Sequence, residues 1–370
     1  MSECVGIYIH IPFCVRKCGY CDFYSVSPNA DLLSRYKNAL LREIANFSDG
    51  GVSAKSGVAD TLYFGGGTPS LFGEYLAEVT AAVRGRFCLP ENAEITLEAN
   101  PGVNLNPVFE AAASAGVNRV SVGVQSAHPG ELDFLSRAHS RNGAQAAVLA
   151  ARASGIHNLS ADVMLGIPGQ TEETLRQTLD FCLGLDICHL SAYILKAEPS
   201  TPLYARRHSL PSGDETAELY LFACEYLECR GLNQYEISNF ARPGSECRHN
   251  LKYWRCREYI GFGPAAHSFF AGERFNNIPS LDAYFSGAPR RSDGVCGGFE
   301  EFTVLALRLT RGLCKTECER RFPDGGERFE RLARKAEPLA ETGLVVLEEG
   351  RIALTPRGFL VQNAVLGRLL

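Results

Sequence analysis

Short β-type segments and longer helical segments alternate regularly over about the first 240 residues, a pattern that few folds accommodate. Runs rich in β-branched and aromatic residues predict strands at Ile7–Ile11, Thr61–Phe64, Glu94–Glu98, Arg119–Val124, Asn158–Leu165, His189–Leu195 and Gln234–Ile237. Apolar residues three and four apart predict helices at Asp31–Phe47, Leu71–Phe87, Pro107–Ala115, Arg141–Ser154, Glu172–Leu185 and Asp214–Cys229. Such strands pair in parallel through right-handed crossovers, so the sequence predicts an α/β protein with an open or closed barrel.

Two further parts follow this region. Residues 241–295 are predicted to be irregular because glycine and proline interrupt every longer element. Residues 296–370 predict a small α+β domain that resembles a winged helix. Its elements are helices at Phe302–Leu309 and Glu327–Thr342, a hairpin of Leu344–Leu347 and Arg351–Thr355, and a final helix around Phe359–Leu370.

Composition excludes several functional classes. The formal net charge of −5 argues against a general nucleic-acid binder. No apolar run approaches the ~20 residues of a membrane span, and the first ten residues lack a signal-peptide pattern, so we expect a cytoplasmic protein. Against that background the 14 cysteines are many, because disulfides are rare in reducing compartments. We therefore expect some of these thiols to bind metal and the others to pack.

Three cysteines, Cys14, Cys18 and Cys21, lie close together directly after the first predicted strand. Thiolates at this spacing can surround one soft-metal centre. Three protein ligands on a four-iron, four-sulfur (4Fe-4S) cluster leave one iron free for a ligand that is not protein. Two alternatives stay open: a zinc ion with His10 or Cys4 as the fourth donor, and three unliganded thiols.

The CxxxCxxC motif of these cysteines resembles the radical S-adenosylmethionine (SAM) superfamily. Further motifs follow in the order found in one branch of it: GGGTPS at 65–70, EANP at 98–101, GVQS at 123–126 and DVMLGIPGQT at 162–171. That branch contains the oxygen-independent coproporphyrinogen III oxidase (HemN) and the heme chaperones (HemW). The resemblance covers nearly the whole chain. It implies a partial (β/α)6 TIM-like barrel over residues 1–240, with a 4Fe-4S cluster on the three cysteines and SAM beside it.

The resemblance also implies the residues that contact SAM: Tyr8, Tyr20, Gly66, Gly67, Thr68, Glu98, Gln125, Arg137 and Asp162. The residues themselves agree in part. Consecutive glycines let a backbone approach a ligand closely, although a simple strand-to-helix turn would use them equally. Gln125 and Asp162 are polar residues within apolar strands, and each needs a partner. Without the resemblance, Glu98 and Arg137 would be interpreted as charged residues at the surface. Tyr8 and Tyr20 would be interpreted as aromatic residues of the core.

Three features favour the chaperone pattern over the oxidase pattern. Cys21 is followed by Asp22-Phe23 rather than Gly-Cys, only 13 residues precede Cys14, and residues 249–254 match the HNxxYW signature. The resemblance thus implies heme contacts at His249, Tyr253 and Trp254, which offer an imidazole ligand and flat apolar rings. Cys247 is an alternative ligand. A structural loop with a packed Trp254 is the other interpretation.

Taken together, these features predict a heme-binding protein rather than an enzyme, although it would retain the machinery for SAM cleavage. The resemblance implies delivery of heme to respiratory proteins at the membrane by a monomer or homodimer, with any membrane contact made through those partners. The alternative is an oxidase that converts two propionates of coproporphyrinogen III to vinyl groups.

Overall fold

Six parallel strands, paired in chain order, form the centre of the structure, a computed structural model that describes residues 4–47 and 58–370. These strands are β1 (Val5–Ile11), β2 (Ala59–Gly66), β3 (Glu94–Ala99), β4 (Arg119–Gln125), β5 (Asn158–Leu165) and β6 (His189–Ile194). The connecting helices are α1 (Ala30–Asn46), α2 (Leu76–Phe87), α3 (Asn106–Ser114), α4 (Pro129–Phe134), α5 (Arg141–Ala153), α6 (Glu172–Gly184) and α7 (Gly213–Glu228). The predicted partial (β/α)6 barrel is confirmed.

A hairpin extends the sheet beyond β6. Strand β8 (Asn239–Ala241) pairs antiparallel with β6 and with β7 (Asn233–Gln234). The predicted strand Gln234–Ile237 is therefore wrong: after two residues of β7 the chain turns and returns in the opposite direction. Its apolar residues reflect burial of this turn rather than a continuing parallel strand.

The other edge of the sheet, at β1, is extended by residues 241–295, and the prediction that this segment is irregular is wrong. Helix α8 (Arg248–Trp254) leads into β9 (Tyr259–Phe262), which runs parallel to β1. Then follow β10 (His267–Phe270), β11 (Glu273–Asn276), helix α9 (Leu281–Phe285) and β12 (Arg291–Val295), the strands forming antiparallel pairs. Gly263 and Gly272 have positive φ and lie at the turns between these short strands. Glycines at such close intervals are the reason that the sequence pattern predicted an irregular segment.

The C-terminal part is a small α+β domain, as predicted. It contains helices α10 (Phe299–Ala306), α11 (Lys315–Arg321) and α12 (Gly325–Glu341) and a sheet of order β13 (Leu313–Cys314), β15 (Arg351–Leu354), β14 (Val345–Glu348). The predicted final helix is divided at Val361 into α13 (Pro356–Leu360) and α14 (Gln362–Leu369). The domain shares one hydrophobic core with the barrel.

Strand β4 shows how the sequence positions a site inside the barrel. Its valines, Val120, Val122 and Val124, are fully buried and alternate with Arg119, Ser121, Gly123 and Gln125, which face a central cavity. Alternation of period two sends these two sets to opposite faces of the sheet. Within residues 4–47 and 58–370, no helix is long and apolar enough to cross a membrane.

Candidate cluster and cofactor site

The three cysteines lie on a loop that is closed at its base by backbone pairing. Strand β1 ends at Ile11, and Phe13 then pairs with Val26 in an isolated parallel bridge. The amide of Cys14 donates to the carbonyl of Val26, and the amide of Cys21 donates to the carbonyl of Cys18. The chain between these anchors has little regular structure and presents Cys14, Cys18 and Cys21 at the carboxyl end of the barrel, where catalytic centres of barrels lie.

The three thiols are partly buried and form no disulfide bond. They lie close enough for the charge of one thiolate to affect the pKa of another. Burial is the main cause that raises the pKa of Cys18 and of Cys21, and the neighbouring thiols add to the rise. In the described ranges no three His, Cys, Asp or Glu side chains converge as a single metal ion requires. Thiolates around one tetrahedral zinc would lie about 3.8 Å apart, whereas a four-iron cluster accepts them at its separate corners.

The proposed fourth zinc donors are not positioned for that role. Nδ1 of His10 hydrogen-bonds the hydroxyl of Tyr8, and Nε2 hydrogen-bonds the carbonyl of Tyr24, so both ring nitrogens are engaged. Cys4 precedes β1 and thus lies at its amino end, while Cys14 follows the carboxyl end. The donor set therefore fits a cluster with three protein ligands and does not fit zinc.

A cavity of about 510 Å³ opens beside this loop and extends into the barrel. Its size lies within the range of small-molecule sites. The structure brings eleven of the sequence-predicted residues to its wall: Cys14, Cys18, Cys21, Tyr20, Gly66, Gly67, Thr68, Glu98, Gln125, Arg137 and Asp162.

The glycines after β2 are required by close packing against the cysteine loop. A Cβ on Gly67 would lie 2.6 Å from the carbonyl oxygen of Phe13 and 3.0 Å from Sγ of Cys14. Gly66 has a φ of +118°, and its amide donates to Oε2 of Glu98. These residues thus form a backbone cradle that fits a ligand beside the cluster loop.

Glu98 is the buried acid of the cavity wall. It accepts hydrogen bonds from the hydroxyl of Tyr63 at 2.7 Å and from the amide of Gly66 at 3.2 Å. Burial dominates over these bonds and raises its pKa to about 7. A carboxyl group in this state can accept from ribose hydroxyls or from an ammonium group.

Arg137 joins the cysteine loop to the strand ends. It donates to the hydroxyl of Tyr20 at 2.7 Å and to Oδ1 of Asn100 at 2.7 Å, and Nδ2 of Asn100 donates to the hydroxyl of Thr68. Thr68 in turn lies 3.5 Å from Sγ of Cys14. This network fixes the carboxyl-end wall of the cavity before any ligand enters.

Gln125 and Asp162 face the cavity, as their positions in apolar strands predicted. Gln125 ends β4 at an irregularity in the register and has a φ of +65°, a conformation that non-glycine residues rarely adopt. Asp162 accepts from the hydroxyl of Ser121 at 3.0 Å, and burial raises its pKa.

Tyr8 lies behind Tyr63 of the cavity wall, and its contact with SAM stays a prediction. Its hydroxyl is bonded to His10, and its ring stacks with Tyr63 at 6.1 Å and with His249 at 6.4 Å between ring centroids. Tyr63 occupies the cavity wall at this level. Alternate residues of β2 face the barrel interior, and this pattern could have identified Tyr63 as a cavity residue from the sequence.

The HNxxYW motif forms α8, which lies at the amino ends of the strands. The carboxylate of Glu94, the first residue of β3, accepts from the amides of Arg248 and His249. Lys252 donates to the carbonyl of Cys4 at 2.8 Å and pairs with Asp60 at 2.6 Å. The helix thereby closes the end of the barrel opposite the cysteines.

The three predicted heme residues pack against their neighbours in this structure. His249 is 1% exposed, with Nδ1 bonded to Thr61 and Nε2 bonded to the hydroxyl of Tyr253, both at 2.8 Å. Burial lowers its pKa to about 3. Trp254 lies under the guanidinium of Arg308 at 4.3 Å. The imidazole thus lies inside the packed barrel with both nitrogens bonded, which argues against an axial ligand at His249, and heme contacts at Tyr253 and Trp254 stay a prediction.

Cys247, the alternative ligand, is also fully buried. Its thiol faces Oε1 of Glu94 at 3.7 Å, and burial raises its pKa to about 12. Sequence reasoning also missed several cavity residues, among them Asn100, Arg119 and Asn250. Asn100 belongs to the EANP motif and could have been inferred from it. Asn250 belongs to the motif that the resemblance assigned to heme.

Comparison with known proteins agrees with this geometry. The profile of the radical SAM superfamily matches residues 8–182, and that of the HemN C-terminal domain matches residues 299–361. The structure of coproporphyrinogen III oxidase (HemN) from Escherichia coli superposes with a TM-score of 0.82 at 22% identity, covering 99% of this chain and 89% of that one. The protein is therefore a radical SAM protein with a HemN-type C-terminal domain.

Curated proteins of similar sequence show which family of radical SAM proteins the chain resembles. Heme chaperone HemW of Bacillus subtilis is 35% identical over 98% of both chains. HemW of Mycobacterium tuberculosis is 35% identical over 99% of this chain and 94% of its own, and HemW of E. coli is 38% identical over 71% and 69%. The chain belongs to the HemW family.

Proposed function

We propose that the protein is a heme chaperone that binds heme and delivers it to respiratory cytochromes at the membrane. The observation that carries this proposal is the similarity, over nearly the full length of both chains, to proteins named heme chaperone HemW. Cytoplasmic location and a monomeric or homodimeric state stay predictions.

The cavity residues support the two cofactors that the family implies. Cys14, Cys18 and Cys21 would hold a 4Fe-4S cluster, and the cradle at Gly66 and Gly67 would hold SAM. When bound, the two supply one-electron reduction of a sulfonium. The chain's own contribution is to position these groups and to exclude water, through the prearranged network of Arg137 and through burial of the cavity wall.

Because His249 is inside the barrel, we place heme binding at the mouth of the cavity. Val15, Phe23 and Val103 line this mouth with 69%, 64% and 56% of their surface exposed. Exposed apolar residues gathered at one place indicate a binding surface, and apolar side chains suit the faces of a macrocycle. Arg16 and Lys17 lie on the same loop and supply positive charge for propionates.

Oxidation of coproporphyrinogen III is the second candidate function. Its support is the similarity of fold to the E. coli oxidase together with a fully assembled cavity wall. Fold alone does not determine the reaction, and the residues after Cys21 differ from the oxidase pattern.

Parallel anaerobic titrations separate the two functions. The reconstituted chain is titrated with heme, and separately incubated with coproporphyrinogen, SAM and a reductant. We expect saturable heme absorbance and no protoporphyrinogen. Robust formation of protoporphyrinogen would overturn the chaperone proposal.

The mouth is tested with Phe23→Ser and its matched control Val295→Ser, an exposed apolar residue on β12. Loss of about 1.5 kcal/mol of apolar contact weakens heme binding about tenfold in Phe23→Ser. The control should bind like the wild type. Equal affinities in all three proteins would place heme elsewhere.

A further inference from the structure

Arg119 is a fully buried arginine whose guanidinium has an unmade hydrogen bond. It begins β4, is 2% exposed and faces the cavity. Within the part of the chain that the structure describes, it makes no ion pair, and its buried Nε has no hydrogen-bond partner. A buried donor without a partner is costly, and a ligand that enters the cavity can supply the missing acceptor.

The acidic groups around Arg119 favour its charged form without forming an ion pair with it. Cys247 and Glu94 outweigh the effect of burial and raise the pKa of Arg119, but the oxygens of Glu94 accept from the amides of Arg248 and His249. Glu98 and Asp162 line the same cavity and bond to Tyr63 and to Ser121.

A second unsatisfied group lies next to this arginine. Thr96 is the register partner of Arg119 on β3, is fully buried, and its hydroxyl also lacks a partner among the described residues. Asn250 brings an amide to the same cavity from α8. The unsatisfied Nε of Arg119, which faces this cavity beside a second unsatisfied hydroxyl, indicates a ligand that accepts hydrogen bonds.

The position is distinct from the cradle that would hold SAM. Arg119 and Gln125 stand at opposite ends of β4, about 20 Å apart at ~3.3 Å per residue. The cysteine loop and the glycines lie at the carboxyl end, and Arg119 lies at the amino end, on the side closed by α8.

We propose that the amino end of the barrel cavity is a carboxylate-binding subsite, in which Arg119 pairs with a carboxylate of an organic ligand. A planar guanidinium matches a carboxylate with two parallel hydrogen bonds, and Asn250 can supply a further donor from the same cavity wall. The subsite does not depend on heme binding, because a small free carboxylate and a carboxylate arm of a larger ligand present the same group.

Thermal unfolding of the reconstituted full chain tests the subsite. The probe is sodium propionate, compared with sodium chloride at equal ionic strength. Propionate should raise the Tm of the wild type by about 2 °C because it binds only the folded state. Arg119→Met should lose this rise. The control Arg334→Met, on the exposed face of α12, should keep the propionate effect.

An equal propionate shift in the wild type and in Arg119→Met would overturn the subsite. If Arg119→Met does not fold, Arg119→Lys serves instead. It retains the charge without the two-pronged geometry, so it should show a reduced propionate shift, and an unchanged shift would contradict the proposal.

A final comparison identifies the source of the carboxylate. Wild type and Arg119→Met are titrated with heme and with heme dimethyl ester. If only heme binding weakens in the variant, the carboxylate belongs to a tetrapyrrole arm. If both ligands bind the two proteins equally while the propionate effect persists in the wild type, the subsite takes a small carboxylate. Either outcome supports the subsite, and absence of the propionate effect from the wild type rejects it.

Discussion

The carboxyl group of Glu98 links the stability of the barrel to pH. Burial raises its pKa to about 7, against an ordinary value of 4.5. Between these two values the folded chain retains a proton that the unfolded chain has released. Stability contributed by this group is therefore present at low pH and is lost as the pH rises through about 7.

We expect Glu98→Gln to remove this dependence in the chain without cofactors. Relative to the variant, the wild type should lose about 3 kcal/mol of unfolding free energy between pH 4.5 and 7, since one pKa unit corresponds to about 1.4 kcal/mol. Urea unfolding at several pH values measures the difference, with the exposed Glu110→Gln as control. Parallel pH profiles of wild type and Glu98→Gln would contradict the assignment.

Gly67 gives a second prediction at the residue scale, because a Cβ there would collide with the backbone of the cysteine loop at 2.6 Å. Gly67→Ala should displace Cys14 and reduce iron and sulfide incorporation severalfold while most of the barrel remains folded. Iron and sulfide analysis after anaerobic reconstitution measures this loss.

Gly85→Ala is the matched control for Gly67→Ala. Nothing lies within 4 Å of its added Cβ, and as a helix substitution it should stabilise the protein by about 0.5–1 kcal/mol. Full cluster content in Gly67→Ala would show that the loop tolerates the displacement.

Most of the predicted site residues line the cavity because short motifs at strand ends carry them. Gln125 and Asp162 were recognisable as polar residues in apolar strands, and both face the cavity. Arg119 was not recognisable, because an arginine at the start of a strand usually reaches solvent. Its burial results from α8, which covers the amino end of the barrel and comes 129 residues later in the chain.

At the scale of elements, α8 changes the interpretation of the HNxxYW motif from ligand binding to closure of the barrel. His249 stacks with Tyr63 at 5.1 Å and bonds Thr61 and Tyr253 through its two nitrogens. His249→Ala should therefore cost about 2–4 kcal/mol of stability through the lost packing and the unsatisfied hydroxyls.

The affinity of His249→Ala for heme should stay within about twofold of the wild type, a small change in binding free energy. Thermal unfolding and heme titration of the same preparation measure both effects, with the exposed His157→Ala as control. A tenfold loss of heme affinity with an unchanged Tm would restore His249 as a ligand.

The segment from 241 to 295 shows why local sequence patterns failed there. Its strands are only four or five residues long, and one side chain of a distant helix fixes much of it. Glu43 of α1 accepts hydrogen bonds from the amide of Gly263, the side-chain amide of Asn277, the hydroxyl of Tyr284 and the guanidinium of Arg290. Contacts so far apart in sequence leave no periodic signal.

At the scale of the whole molecule, the barrel and the C-terminal domain form one packed unit. Their residues belong to a single hydrophobic core. The amide of Ile237 donates to the carbonyl of Arg308, and Arg321 donates to the carbonyl of Arg255 at 2.9 Å. A matching profile for residues 299–361 marks a family module, but these contacts couple its stability to that of α8.

Trp254, the single tryptophan, lies at this junction under the guanidinium of Arg308 and reports on it. In the cofactor-free chain, guanidinium chloride unfolding followed by tryptophan fluorescence and by far-ultraviolet circular dichroism should give coincident midpoints, as expected for cooperative units. Arg321→Met removes a bond across the junction and should lower both midpoints together, whereas the exposed Arg368→Met should leave them unchanged. Loss of helical signal at lower denaturant than the fluorescence change would mean that the C-terminal domain unfolds by itself, and closure of the barrel by α8 would then be independent of that domain.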